Sequence, residues 1–165
     1  MQGVTNTYYQ SKVATVRDTV KDDCFEIAKR MRKSDIEEIW SSNRVSPLEA
    51  TLECLGKSTV CMTIERNGFP VAMFGIVPQN FIGTSASIWL LSTDGIKGIP
   101  VTFIRNNRAI IKYLLTFYPL LFSYVDLRNT VSVKWLDYIG AKWGEVIPYG
   151  VDKMPSRYFF FSEGK

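Results

Sequence analysis

The chain has 165 residues, 46% hydrophobic and 22% charged, with 20 basic and 16 acidic side chains and a net charge of +4. That length suits one domain over residues 1–165 with a real core, and the composition is that of an ordinary globular protein. The complete absence of histidine removes His-based triads, histidine metal sites and imidazole acid–base chemistry, so proton transfer falls to Asp, Glu, Tyr, Cys, Lys or water.

No apolar run approaches the length of a membrane span, and the opening stretch MQGVTNTYYQ lacks the apolar centre of a signal peptide. Cys24, Cys54 and Cys61 are odd in number and lack paired metal spacing. They read as reduced, buried thiols of an intracellular protein, and no metal site is expected. The mild positive charge permits an acidic partner without demanding one.

Met1 to Gln10 reads as a loose start. Lys12 to Val20 alternates as a strand. Asp22 or Asp23 suits the cap of a helix carrying Phe25, Ile27, Ala28 and Met31. Ser34 with Glu37 reads as a capping box for a second helix through Ile36, Ile39 and Trp40. Ser46-Pro47 opens a third, with Leu48, Leu52 and Leu55 on one side. The charged residues of these helices read as solvated surface. Thr59 to Arg66 alternates with period two, and Asn67-Gly68 is a two-residue hairpin signal. The return strand, Pro70 to Val77, is a nearly continuous apolar run and implies burial on both faces.

After a loop at Pro78 to Thr84, the stretch Ser87 to Gly140 carries the organisation. Ile88 to Leu91 is an apolar strand ending at Ser92, Thr93 and Asp94. Gly95 and Gly98 break it, and Pro100 suits the first turn of a helix running through Phe103, Ile104, Ile110, Ile111, Leu114 and Phe117, with Arg105, Asn106, Arg108 and Lys112 opposite. Leu120 to Val125 is a second strand. Asn129 and Thr130 lead into a helix with Val133, Leu136 and Ile139 on one face, closed by Gly140. The unit is β-α-β-α, so its two strands are expected to be parallel neighbours. The Gly95–Gly98 turn offers backbone N–H groups that favour an anion, or it is a plain connection. Ala141 to Ile147 and Tyr158 to Ser162 read as a last antiparallel pair.

The expected fold class is therefore α+β: a mixed, mostly antiparallel sheet with a central parallel pair flanked by helices. This order, over nearly the whole chain, resembles the Gcn5-related N-acetyltransferase (GNAT) family. The most specific part is Asn129, Ser132, Val133 and Gly140. Val71 to Gly75 (VAMFG), Trp89 to Asp94 and Tyr124 to Gly140 further resemble the small acetyltransferase-like, internal-virion or virion-assembly proteins of T7-like tailed phages.

The resemblance implies an activity: transfer of an acetyl group from acetyl-CoA to a primary amine. Leu90, Leu91 and Ser92 would bind the pantetheine arm through their backbone. Gly95, Ile96, Lys97, Gly98 and Ile99 would cradle the pyrophosphate, and Asn129 and Ser132 would complete the cofactor contacts. Asp94 and Asp126 are the candidate bases, with helix capping and pairing with Arg128 as their structural alternatives. Tyr124 is a candidate proton donor, because Leu136 stands where many relatives carry a tyrosine. The glycine spacing departs from the family's loop. The alternative is a catalytically inactive phage protein acting in virion assembly or DNA ejection. Localisation is then the host cytoplasm or the virion. Membrane partners are not expected, and no basic stripe interleaves with the aromatics to favour nucleic acid.

Overall fold

The computed structural model describes residues 4–100, 103 and 107–163. Two strands, β1 (Thr7–Gln10) and β2 (Ala14–Asp18), precede three helices: α1 (Lys21–Lys29), α2 (Lys33–Asn43) and α3 (Pro47–Lys57). An antiparallel run follows: β3 (Val60–Arg66), β4 (Phe69–Pro78) and β5 (Ser85–Ser92). A 3-10 turn at Asp94–Gly98 leads toward α4 (Arg108–Leu115). Then come β6 (Leu120–Asp126), α5 (Thr130–Tyr138), β7 (Lys142–Tyr149) and β8 (Met154–Ser162).

The eight strands form one sheet in the order β1-β2-β3-β4-β5-β6-β8-β7. β5 and β6 pair in parallel, and the other neighbours are antiparallel. The expected mixed sheet with a central parallel pair is the one observed. The period-two pattern of β3 works on both faces: Met62 and Ile64 sit in one core, and Thr63 is buried on the other side. The Asn67-Gly68 turn has φ of 51° and 78°, the left-handed pair that a tight hairpin requires. Against one face lie α4 and α5, whose Ile110, Ile111, Leu114, Val133 and Leu136 meet Met62, Ile64, Ile76 and Ile88. Against the other lie α1 and α3, where Cys24, Ile27 and Ala50 meet Met73 and Leu91.

Four expectations are corrected. The segment read as a loose start contains β1, an edge strand ordered by pairing with β2 and by Tyr9 packing edge-on to Phe103. The last strand starts at Met154 rather than Tyr158, and it inserts between β6 and β7. The Ser34–Glu37 capping box does not form. Arg32 is the N-cap of α2, because its N–H donates to the Ser92 carbonyl at 2.9 Å and fixes the helix entry. Nor does Asp22 or Asp23 stand at the cap of α1: Val20 does, and Asp23 accepts from the Val20 N–H at 2.9 Å. Ser46 with Glu49 forms the capping box of α3, after which Pro47 begins the helix. Of the helix expected from Pro100 to Phe117, positions 101, 102 and 104–106 lie outside the described residues.

Candidate functional site

The parallel ladder between β5 and β6 covers only Ser85 to Ser87 against Leu120 to Phe122. Beyond it the two strands diverge, although β5 stays paired with β4 up to Ser92. Backbone polar groups alternate sides along a strand. Thr93 donates its N–H to Val71 on β4, whereas Ser92 donates its N–H away from β4, to Asp35 Oδ2 at 2.9 Å. Leu90, two residues before Ser92, therefore faces the gap, where the β6 ladder has ended and no backbone partner stands among the described residues.

A cavity of about 510 Å³ runs through this gap and reaches both faces of the sheet. On one side its wall is apolar, with Ile64, Ile88, Ile111, Leu136 and Phe159; on the other stand Glu38, Cys54, Trp89, Tyr124 and Tyr149. Tyr124 and Tyr149 stack, with centroids 4.6 Å apart at 18°. The Trp89 ring lies over Gly75 of β4, its Nε1–H donating to Ser58 Oγ at 2.9 Å.

The gap's wide end is occupied by the first turn of α2. Arg32 and Asp35 form a buried ion pair at 2.9 Å, with side chains 3% and 4% exposed. Asp35 also accepts from the Ser92 hydroxyl and from Asn129 Nδ2, and Arg32 donates to Asn129 Oδ1 and Ser132 Oγ. Asn129 caps α5, its Oδ1 accepting from the Ser132 N–H. Asn129 and Ser132 thus lie in the cavity wall as part of one network that ties α2, β5 and α5 together. This overturns the reading of the charges as solvated surface for Arg32, Asp35 and Glu38, whereas Lys33 and Glu37 are exposed as expected. The signal available in the sequence was Arg32, Asp35 and Glu38 recurring every three residues, which places them along one helix face.

Glu38 reaches from α2 to the end of β6. Its Oε1 accepts from the Asp126 N–H at 3.1 Å and its Oε2 from Asn129 Nδ2 at 3.0 Å. Burial pushes its carboxyl up to about 7, the two hydrogen bonds opposing and the charges of Asp35 and Asp126 reinforcing the rise. Sequence reasoning did not single it out. Burial, then Tyr124 and Glu38, raises the Tyr149 hydroxyl too.

The sequence-derived candidates fall into two groups. Tyr124, Leu90, Leu91, Asn129 and Ser132 line the cavity, whereas its wall includes neither Asp94 nor Asp126. The Asp94 side chain is 75% exposed and pairs with Lys97 at 3.3 Å. Asp126 is gripped at both oxygens by Arg128; burial raises its carboxyl, but Arg128 more than offsets this and holds it below the usual carboxylate range. The Gly95–Gly98 connection is closed on itself. Gly95 donates to Thr93 Oγ1, Ile96 to the Thr93 carbonyl and Ile99 to the Ile96 carbonyl. The Lys97 and Gly98 N–H groups are taken up by the i→i+3 bonds of the 3-10 turn itself, so the segment from Gly95 to Ile99 leaves no backbone donor for an anion. Arg66 lies over Gly98, where a Cβ would run into its guanidinium, and its Nε is buried with no hydrogen-bond partner among the described residues.

Burial pushes the Cys54 and Cys61 thiols up to about 12, far from nucleophilic thiolates. Among the described residues no group of His, Cys, Asp or Glu could hold a metal ion, and no helix is long and apolar enough to cross a membrane.

No protein-family profile matches the chain, and no curated protein does. Solved structures do. Spermidine N-acetyltransferase from Vibrio cholerae, in complex with CoA and spermine, is 14% identical, with TM-score 0.67 over 93% of this chain and 97% of that one. A GNAT-family acetyltransferase from Bacillus anthracis is 13% identical, with TM-score 0.66 over 94% and 98%. A Salmonella typhimurium protein solved with its cofactor acetyl-CoA is 12% identical, with TM-score 0.66 over 93% and 96%. At these identities the likeness is one of fold: the chain has the architecture of GNAT acetyltransferases.

Proposed function

We propose that the chain transfers an acetyl group from acetyl-CoA to a primary amine. The observation that carries this reading is the opening between the parallel strands β5 and β6, with a cavity running through it from one face of the sheet to the other. Such an opening lets a thioester enter from one side and a nucleophile from the other, in line and shielded from water. Two structural relatives were solved with CoA or acetyl-CoA, which supports the same co-substrate here.

The residues fit a pantetheine arm at Leu90, whose unpaired N–H and C=O suit its amides, with the Leu91 and Leu136 side chains supplying apolar wall. They fit the pyrophosphate less generously. Ser92 is occupied by α2 and the N–H groups from Gly95 to Ile99 are used within the 3-10 turn and its ends, which leaves the side chains of Arg66 and Lys97 as the cations for the phosphates. Asn129 and Ser132 hold the end of the arm's path by fixing α5. Tyr124, which lines the cavity wall, gives a proton to the leaving thiolate in this reading. A backbone N–H facing the gap serves the developing oxyanion.

Titration calorimetry with acetyl-CoA and with CoA tests this reading. Binding in the micromolar range is expected, and no heat at millimolar ligand would sink it. A second reading, a GNAT-like scaffold without turnover in a phage particle, is favoured by Leu136 and by the α2 turn that closes the Ser92 edge. It rests for its setting on the phage resemblance of Val71 to Gly75, Trp89 to Asp94 and Tyr124 to Gly140. It expects a stable partner in a pull-down from infected cells and no acetylation of any amine tested.

A further inference from the structure

We propose that Glu38 is the counter-ion of the acceptor's ammonium and the group that takes its proton. This rests on the acyl-transfer reading for the second role, while the first stands on the cavity alone. The other cavity carboxylates already have cations. Asp35 is paired with Arg32, and Glu53 with Lys57. Glu38 has no ion pair among the described residues, although it stands in the wall. An unpaired carboxylate in such a place is costly, and a cation that enters the cavity relieves the cost.

Geometry leaves Glu38 free to act. Each carboxylate oxygen has two acceptor sites. One on each oxygen is taken, by the Asp126 N–H and by Asn129 Nδ2; the others remain for a ligand. The charged and titratable groups packed around it are Asp35, with Arg32 behind it, on α2; Asp126 and Tyr124 on β6; Arg128 after β6; and Tyr149 on β7. Arg32 and Arg128 are each held by their own aspartate. Both carboxylates named as bases from the sequence, Asp94 and Asp126, lie outside the wall.

The step balances simply. The ammonium gives one proton to Glu38 and becomes an amine. Its nitrogen lone pair forms the C–N bond to the thioester carbonyl as the C–S bond breaks. The second proton passes from nitrogen to the departing sulfur, by way of Tyr124 or water. The products are an amide and a thiol, and Glu38 then returns its proton to solvent. A base titrating near 7 is matched to this work at neutral pH.

The experiment uses the full chain and n-butylamine as the probe, with 1-butanol as its uncharged analogue, followed by NMR shifts of Tyr124, Tyr149 and the Asp126 amide. A carboxyl titrating near 7 is about one-tenth ionised at pH 6 and nine-tenths at pH 8. Butylamine affinity is therefore expected to rise about tenfold over that range, and butanol affinity to stay constant. Glu38→Gln should abolish the rise and weaken amine binding at pH 8 at least tenfold, with acetyl-CoA affinity kept within about threefold. In wild type, kcat/KM should climb through a midpoint near 7, a limb that Glu38→Gln lacks. A Glu38 that merely braces the β6–α5 connection would move none of these readouts. The assignment is overturned by pH-independent butylamine binding in wild type, by equal amine binding in Glu38→Gln, or by no amine binding at tens of millimolar. Glu38-dependent amine capture without any acetyl-CoA binding would instead refute acyl transfer and leave the ion pairing standing.

Discussion

At the scale of single residues, Glu38 is the side chain whose state follows pH most directly. Its carboxyl is raised, so between about 4.5 and 7 the folded protein holds a proton that the unfolded chain has lost. Where the folded state binds more protons, stability falls as pH rises. The contribution is present below the ordinary carboxylate value and gone above the folded one. A shift of this size is worth at most about 3 kcal/mol, less the share that solvent screens at a partly buried site. Urea denaturation should therefore show wild type losing stability from pH 5 to pH 8, and Glu38→Gln should flatten the curve. A wild-type stability that climbs over this window would mean that Glu38 has a compensating cation. The sequence carried only the three-residue spacing of Arg32, Asp35 and Glu38, because an acidic residue on a charged helix reads as solvent-facing until the neighbours of that face are known. Asn129 was legible, since an Asn ahead of Ser132, an apolar stripe and Gly140 carries its own cap geometry.

At the scale of elements, the first turn of α2 decides how far the β5–β6 gap stays open. Four polar side chains, Arg32, Asp35, Asn129 and Ser92, close the wide end through hydrogen bonds that satisfy one another. Removing one charge of a buried pair strands the other, and such losses run to about 3–5 kcal/mol. Asp35→Asn should cost that much in urea denaturation, whereas Arg32→Met combined with Asp35→Leu should cost distinctly less, since both charges leave together. A cost below about 1 kcal/mol for Asp35→Asn would show that the turn is held by its backbone contact to Ser92 instead. The sequence announced elements whose signals are local: the hairpin at Asn67-Gly68, the capped start of α3, the apolar strands of the β-α-β-α unit. It concealed those set by partners: β1, too short and polar to announce itself, and β8, whose place between β6 and β7 is a matter of topology rather than pattern.

At the scale of the whole molecule, the sheet is two antiparallel blocks, β1 to β5 and β6 to β8, joined by the short parallel seam at Ser85 to Ser87. The helices α4 and α5 pack across both blocks on one face, and the cavity lies where the blocks part. A ligand lying in the gap would hydrogen-bond β5 along the edge that β6 has left, and so act as a further strand between the blocks. The Leu90 amide reports on this directly, because its N–H faces the gap without a partner there. Hydrogen exchange followed by NMR should find Leu90 among the faster amides of β5 in the free protein, while Leu91, which faces β4, exchanges slowly. Saturating acetyl-CoA should slow Leu90 at least tenfold, and more than it slows Leu91, whose ladder bond exists already. Stabilisation by ligand is general, about 2.7 kcal/mol at a hundredfold excess over Kd, and slows every amide that exchanges through global unfolding. The telling quantity is therefore the difference between the two neighbours, not protection alone. Equal slowing at Leu90 and Leu91 would place the ligand elsewhere, and a Leu90 amide already protected in the free protein would mean that the gap is closed.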